Sequence, residues 1–163
     1  MSSTPFQDIF LPAPEATAGL ARRLGARLAP GDVILLSGGI GAGKTHFARA
    51  LIQSLLAEPE DVPSPTFTLV QEYDTTHGPL WHADLYRLSD PMEVVELGLE
   101  EAFETAICLV EWPDRLADLT PADALSLELT ALPDNDGEAR RLVIHAPARW
   151  QPLLTEILKE TDA

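Results

Sequence analysis

One run of residues constrains this chain more than any other: Gly38-Gly39-Ile40-Gly41-Ala42-Gly43-Lys44-Thr45. It satisfies G-x-x-x-x-G-K-[ST] at every specified position, the pattern of a phosphate-binding loop. A polyphosphate needs several backbone N–H donors aimed at one spot, and glycine lets the chain curl closely around it. The helix that follows turns its positive end toward the same spot. Lys44 then serves as a point charge for the β- and γ-phosphates, and the Thr45 hydroxyl as a ligand for Mg²⁺. The plainer alternative is a glycine-rich turn with no ligand. The flanks favour the phosphate reading. Asp32 to Ser37 reads as a short buried strand, and Phe47, Ala50, Leu51, Ser54 and Leu55 recur at helical spacing before Pro59. The rival dinucleotide pattern G-x-G-x-x-G, started at Gly41, fails at His46.

Length and charge bound the rest. A chain of 163 residues suffices for one domain, expected over 1–163, with a real core. The formal net charge of −15 works against a direct grip on nucleic-acid phosphates, which needs clustered Lys and Arg. If a nucleic acid is involved, another protein is expected to hold it. A single cysteine, Cys108, excludes an internal disulfide and fits a reducing compartment. Met1-Ser2-Ser3-Thr4-Pro5 carries neither a basic nor an apolar leader, so the expected location is the cytoplasm. The histidines and the cysteine show no zinc-ligand spacing.

Along the chain, Leu11 to Thr17 leads into a helix with Leu20, Leu24 and Leu28 on one stripe, ended by Pro30-Gly31. The stripe reads as core; its polar lead-in at Thr17 could instead border a nucleotide base. After the phosphate-loop helix, Val62-Pro63-Ser64-Pro65-Thr66 is a stiff entry into a strand that continues toward Tyr73. Ser64 and Thr66 are either γ-phosphate sensors or parts of an ordinary connection. Asp74 to Pro79 is a turn, and Leu80 to Tyr86 returns as an antiparallel hairpin partner. Asp90-Pro91-Met92-Glu93 starts a helix that Gly98 is expected to stop, and a further short helical segment passes through Glu101 to Phe103. Ala106 to Glu111 reads as a central strand, with Cys108 as an inert core residue. Leu125 to Thr130 and Arg140 to Ala146 form a C-terminal hairpin around Pro133 to Gly137. Trp150, Leu153, Leu154, Ile157 and Leu158 mark a final amphipathic helix, to cover the sheet or dock a partner.

ATP hydrolysis needs a metal beside the phosphates and a group that positions water. In doubly wound sheets, ligands lie at the C-terminal tips of strands. Glu111 ends the apolar run 106–110 and is placed to share a metal with Thr45, although Asp is the commoner acid there. The alternative is a strand-end acid facing water. Asp84, between His82 and Tyr86, faces a site or pairs structurally with Arg87. Trp112 stacks on the nucleotide side or plugs the core.

Taken together, Gly-x-x-Gly-Ala-Gly-Lys-Thr, Ser64-Pro65-Thr66-Phe67-Thr68-Leu69-Val70, His82-x-Asp84-Leu85-Tyr86-Arg87-Leu88 and Leu109-Val110-Glu111-Trp112-Pro113 resemble the motif series of the TsaE (YjeE) family. These are the small ATPases of bacterial tRNA threonylcarbamoyladenosine synthesis. The resemblance runs from about Leu11 to Val143. It implies a three-layer α/β P-loop fold with a mixed, mostly parallel sheet, and slow hydrolysis of ATP with Mg²⁺. It also implies work with the TsaD–TsaB complex, which places a threonylcarbamoyl group on the adenosine beside the anticodon; tRNA is met only through that complex. By motif, Gly41, Ala42, Gly43, Lys44 and Thr45, with the adjoining His46, would cradle the nucleotide. Thr45 and Glu111 would hold Mg²⁺, and Asp84, Glu111 and Trp112 would serve turnover. Thr17 near the base and Gly137 to Arg140 on the far side are further transfers. Glutamate at the metal position is normal for the family. Departures are Gly39 for an Asp, His46 for a Thr and Ala83 for a Phe. Two rival classes fit less well. A P-loop small-molecule kinase wants a lid rich in Arg and Lys, but after the phosphate-loop helix these residues are scattered. A GTP switch wants an Asn/Thr-Lys-x-Asp motif, and Lys44 and Lys159 are the only lysines.

Overall fold

Val33–Ser37 is a run of branched and linear apolar side chains with no alternation, so it needs cover on both faces. In the computed structural model it receives both. The structure describes residues 5–39, 41–58, 60–63, 69–88, 90, 92–133 and 138–159. The strands are β1 (Gln7–Leu11), β2 (Val33–Ser37), β3 (Val70–Thr75), β4 (Gly78–Asp84), β5 (Ile107–Glu111), β6 (Leu125–Ala131) and β7 (Arg140–His145). The α-helices are α1 (Pro14–Gly25), α2 (Lys44–Leu55), α3 (Met92–Glu96), α4 (Leu99–Thr105) and α5 (Gln151–Lys159). The strands form one seven-stranded sheet in the order β1-β7-β6-β2-β5-β4-β3. Its middle, β6-β2-β5-β4, is parallel. The hairpins β3–β4 and β6–β7, and the added strand β1, are antiparallel. This is the mixed three-layer α/β sheet expected from the motifs.

Period-two alternation sorts the two faces. Ile34, Leu36, Leu80, Ile107 and Leu109 pack with α1, α2 and α5. Val33, Leu35, Ala83, Cys108 and Val110 pack with α3, α4 and Leu116. The first helix opens with Pro14 at its first turn, carries Glu15 there and Arg22 and Arg23 in its last turn, and so matches the helix dipole at both ends. Leu28 falls past its end but stays buried. In α2 the apolar stripe is Phe47, Ala48, Ala50, Leu51, Ile52 and Leu55. Ser54 departs from the expected set: it is exposed, and its hydroxyl donates to the Leu51 carbonyl.

Asp90 starts α3 as expected, its Oδ1 accepting from the Met92 N–H at 2.9 Å. Gly98 has φ +82° and separates α3 from α4, so it both closes one helix and opens the next. The final helix covers the sheet: Trp150, Leu154 and Ile157 are buried beside α1. Two elements were not anticipated. Strand β1 pairs with β7 at the sheet edge, and its mainly exposed pattern gives no hydrophobic signal. A 3-10 stretch, Pro113–Leu119, interrupted by a kink at Ala117, follows β5 and buries Leu116. Among the described residues no helix is long and apolar enough to cross a membrane.

Candidate functional site

The chain leaves β2 at Ser37 and enters α2 at Lys44, so the glycine loop joins a central strand tip to a helix N-terminus. Two glycines are required by the backbone. Gly38 has φ +137°, and a Cβ there would stand 2.2 Å from the Leu129 carbonyl oxygen. Gly43 has φ +103° at the N-cap of α2. The loop is braced from β7. Arg140 donates through Nε to the Ala42 carbonyl at 2.9 Å and through a terminal nitrogen to the Gly41 carbonyl at 3.3 Å.

Strand register brings the acids to the same place. Asp84 on β4 lies opposite Glu111 on β5, both at the C-terminal ends of adjacent parallel strands. Gly41, Ala42, Gly43, Lys44, Thr45, His46, Asp84, Tyr86, Glu111 and Trp112 line one cavity of about 410 Å³. That volume lies within the range of small-molecule sites. Glu111 is only 2 % exposed, which excludes a strand-end acid facing water. A buried carboxylate costs several kcal/mol unless partnered. Here the Thr45 hydroxyl donates to it, 3.0 Å from Oε1 and 3.2 Å from Oε2. His82 Nε2 lies 2.7 Å from Oε2. Asp84 is 5 % exposed, and its Oδ1 accepts from the Tyr86 N–H at 3.0 Å.

Lys44 Nζ donates to the Gly38 and Gly39 carbonyls at 2.6 and 2.9 Å. It also lies 4.1 Å from the centre of the Trp112 ring, a cation–π contact. Burial pushes its pKa below the ordinary lysine value, while Glu111 and Asp84 oppose that shift. Trp112 takes a left-handed backbone, φ +59° and ψ +54°, where β5 ends. For a bulky residue this conformation costs about 1–3 kcal/mol. Its ring packs on Tyr86 at 4.8 Å between centroids and borders the second core cluster. Trp112 therefore both faces the cavity and closes the core below it.

The donor set fits a small hard cation beside phosphates. A hydroxyl and a carboxylate converge, a second carboxylate stands on the next strand, and Mg²⁺ usually takes one or two protein carboxylates and fills its shell with phosphate and water. Among the described residues no cluster of three or more His, Cys, Asp or Glu side chains forms a self-sufficient metal cage.

A model of the TsaE family, described as threonylcarbamoyl adenosine biosynthesis protein TsaE, matches residues 11–142. This chain belongs to the TsaE family. A TsaE of Bacillus subtilis is 38% identical over 150 residues, covering 91% of this chain and 91% of the relative. A TsaE of Rickettsia bellii is 40% identical over 121 residues, 74% of this chain and 84% of the relative. The crystal structure of Bacillus subtilis YdiB superposes with a TM-score of 0.76 at 28% identity, over 98% of this chain and 99% of that one. Within this TsaE fold the residues singled out from sequence divide into three groups. Those from Gly41 to His46, with Asp84, Glu111 and Trp112, share the main cavity. Thr17 lies instead in a smaller neighbouring cavity of about 120 Å³, with Pro14, Gly43, His46, Glu138 and Arg140. Gly137, like Ser64 and Thr66, lies outside the described residues. His46 lines both cavities, its Nε2 3.0 Å from the Pro14 carbonyl. Tyr86 and His82 were not singled out as site residues. The signal for His82 was its place two residues before Asp84, on the same face of the same strand.

Proposed function

We propose that this protein binds ATP with Mg²⁺, hydrolyses it slowly, and acts with the TsaD–TsaB complex in forming the N6-threonylcarbamoyl group on the adenosine 3′ of the anticodon in tRNAs reading codons that begin with A. It is an accessory ATPase, not the transferase. One observation carries the nucleotide reading: Lys44, Thr45 and Glu111 face one cavity over a glycine loop at a helix N-terminus. The TsaE membership supports the pathway.

The backbone N–H groups of Gly41 to Thr45 bind the phosphates, and Lys44 leaves the loop carbonyls to contact the β- and γ-oxygens. Thr45 and Glu111 would hold Mg²⁺, which neutralises charge on those phosphates. Asp84 accepts a hydrogen bond from attacking water and orients it. Trp112 shields the lysine head from bulk water. Thr17 borders the base, and Gly137 to Arg140 the opposite side. Residues 1–163 act as one domain in the cytoplasm, and tRNA is met only through the partners. The test is reconstitution of tRNA modification with TsaD and TsaB, with and without this protein and ATP. Sustained modification should require both. Equal modification without this protein would sink the reading.

A further inference from the structure

The buried His82–Glu111 contact belongs to none of the roles assigned above. His82 is 0 % exposed, and Glu111 lies diagonally across on the neighbouring parallel strand. Its Nε2 lies 2.7 Å from Glu111 Oε2, while its Nδ1 is buried with no hydrogen-bond partner. A carboxylate can only accept, so the bond requires the proton on Nε2.

The second donor at Glu111 cannot fix the carboxylate alone. The Thr45 hydroxyl has one proton, and its distances to Oε1 and Oε2 differ by little, 3.0 against 3.2 Å. The imidazole breaks that symmetry. It commits Oε2, so that Oε1 is left with the Thr45 hydroxyl as its donor. The His82 backbone is fixed by pairing with β3 on one side and β5 on the other, and full burial confines its ring. A ring held this way has no rotamer to lose when it donates.

We propose that His82 is a positioning residue: its Nε2–H orients the Glu111 carboxylate for the cation that Glu111 shares with Thr45. Supporting groups of this kind change metal affinity by about 10- to 100-fold when removed. The inference rests on the Mg²⁺–nucleotide reading of the cavity, so its test has an arm that does not. In ligand-free protein, long-range ¹H–¹⁵N spectra report the protonation of each ring nitrogen. Nε2 of His82 should appear protonated; an unprotonated Nε2 overturns the proposal whatever the cavity binds. The second arm compares His82→Leu, which fills the space without a donor, with His82→Gln, whose amide nitrogen reaches the Nε2 position. The readout is the Mg²⁺ concentration that half-saturates its effect on binding of a non-hydrolysable ATP analogue, measured by calorimetry. The Leu variant should need about 10- to 100-fold more Mg²⁺, and the Gln variant should recover most of that loss. Equal Mg²⁺ requirements in the wild type and His82→Leu would overturn the role, as would Gln and Leu variants impaired alike. Should His82→Leu not fold, the spectra still decide it. A wild type whose analogue binding ignores Mg²⁺ would instead overturn the metal reading of the cavity, leaving the spectra to judge the hydrogen bond.

Discussion

Lys44 and Glu111 sit in one cavity but are asked for different things, and their variants should separate. Lys44→Ala removes the cation proposed to meet the phosphates, so nucleotide affinity should fall by about 10- to 100-fold or more in a binding titration. Glu111→Ala should keep much of that affinity and lose Mg²⁺-dependent turnover, by about 100-fold or more. Full turnover in the Glu111 variant would refute its metal role. Cys108 makes the opposite case, a reactive residue type made inert. Burial pushes its thiol from 9.0 up to about 12. The folded state therefore favours the neutral thiol. This contribution to stability is complete below the unfolded-state value and is lost as pH rises toward 12. Native protein at pH 8 should resist a thiol reagent and react once denatured; fast labelling of native protein would contradict the buried strand position.

Among the elements, the glycine loop takes support from a distant strand. Helix α2 holds one end and β2 the other, but its middle carbonyls are tied by an arginine from β7, 98 and 99 residues away in sequence. Arg140 holds the Gly41 and Ala42 oxygens, while the Ala42 N–H donates to the Gly39 carbonyl at 3.2 Å. Arg140→Ala should weaken nucleotide binding by about tenfold. The thermal midpoint should move little, because the guanidinium belongs to no apolar cluster. A variant with unchanged affinity would show that the loop holds its shape alone. The C-terminal hairpin was legible from its alternation, yet its link to the loop was not. Strand β1 was missed for a related reason. Its stability comes from pairing with β7, and a ladder of backbone hydrogen bonds leaves little mark on side-chain composition.

For the molecule as a whole, the net charge of −15 shapes association more than folding. An acidic subunit is poorly suited to hold tRNA but well suited to a basic protein surface. The proposed docking to TsaD–TsaB should weaken as salt is raised from about 50 to 500 mM, through screening of exposed charges. A dissociation constant that stays flat across that range would rule out an electrostatic contribution. The buried pairs at the site are screened far less, so the nucleotide contacts proposed for Lys44 should survive salt better than the docking does.

Local chemistry carried a large share of this protein. A strand without alternation, a glycine loop ending in Lys-Thr, and an apolar run closed by Glu111 each follow from what neighbouring residues can do within a few positions. Folding decided what lies across the sheet. Thr45 meets Glu111 across 66 positions, and His82 meets it across 29. Those contacts depend on which strands become neighbours and in what register. That choice is made by burial summed over both faces of the sheet, a quantity that no single stretch of sequence contains.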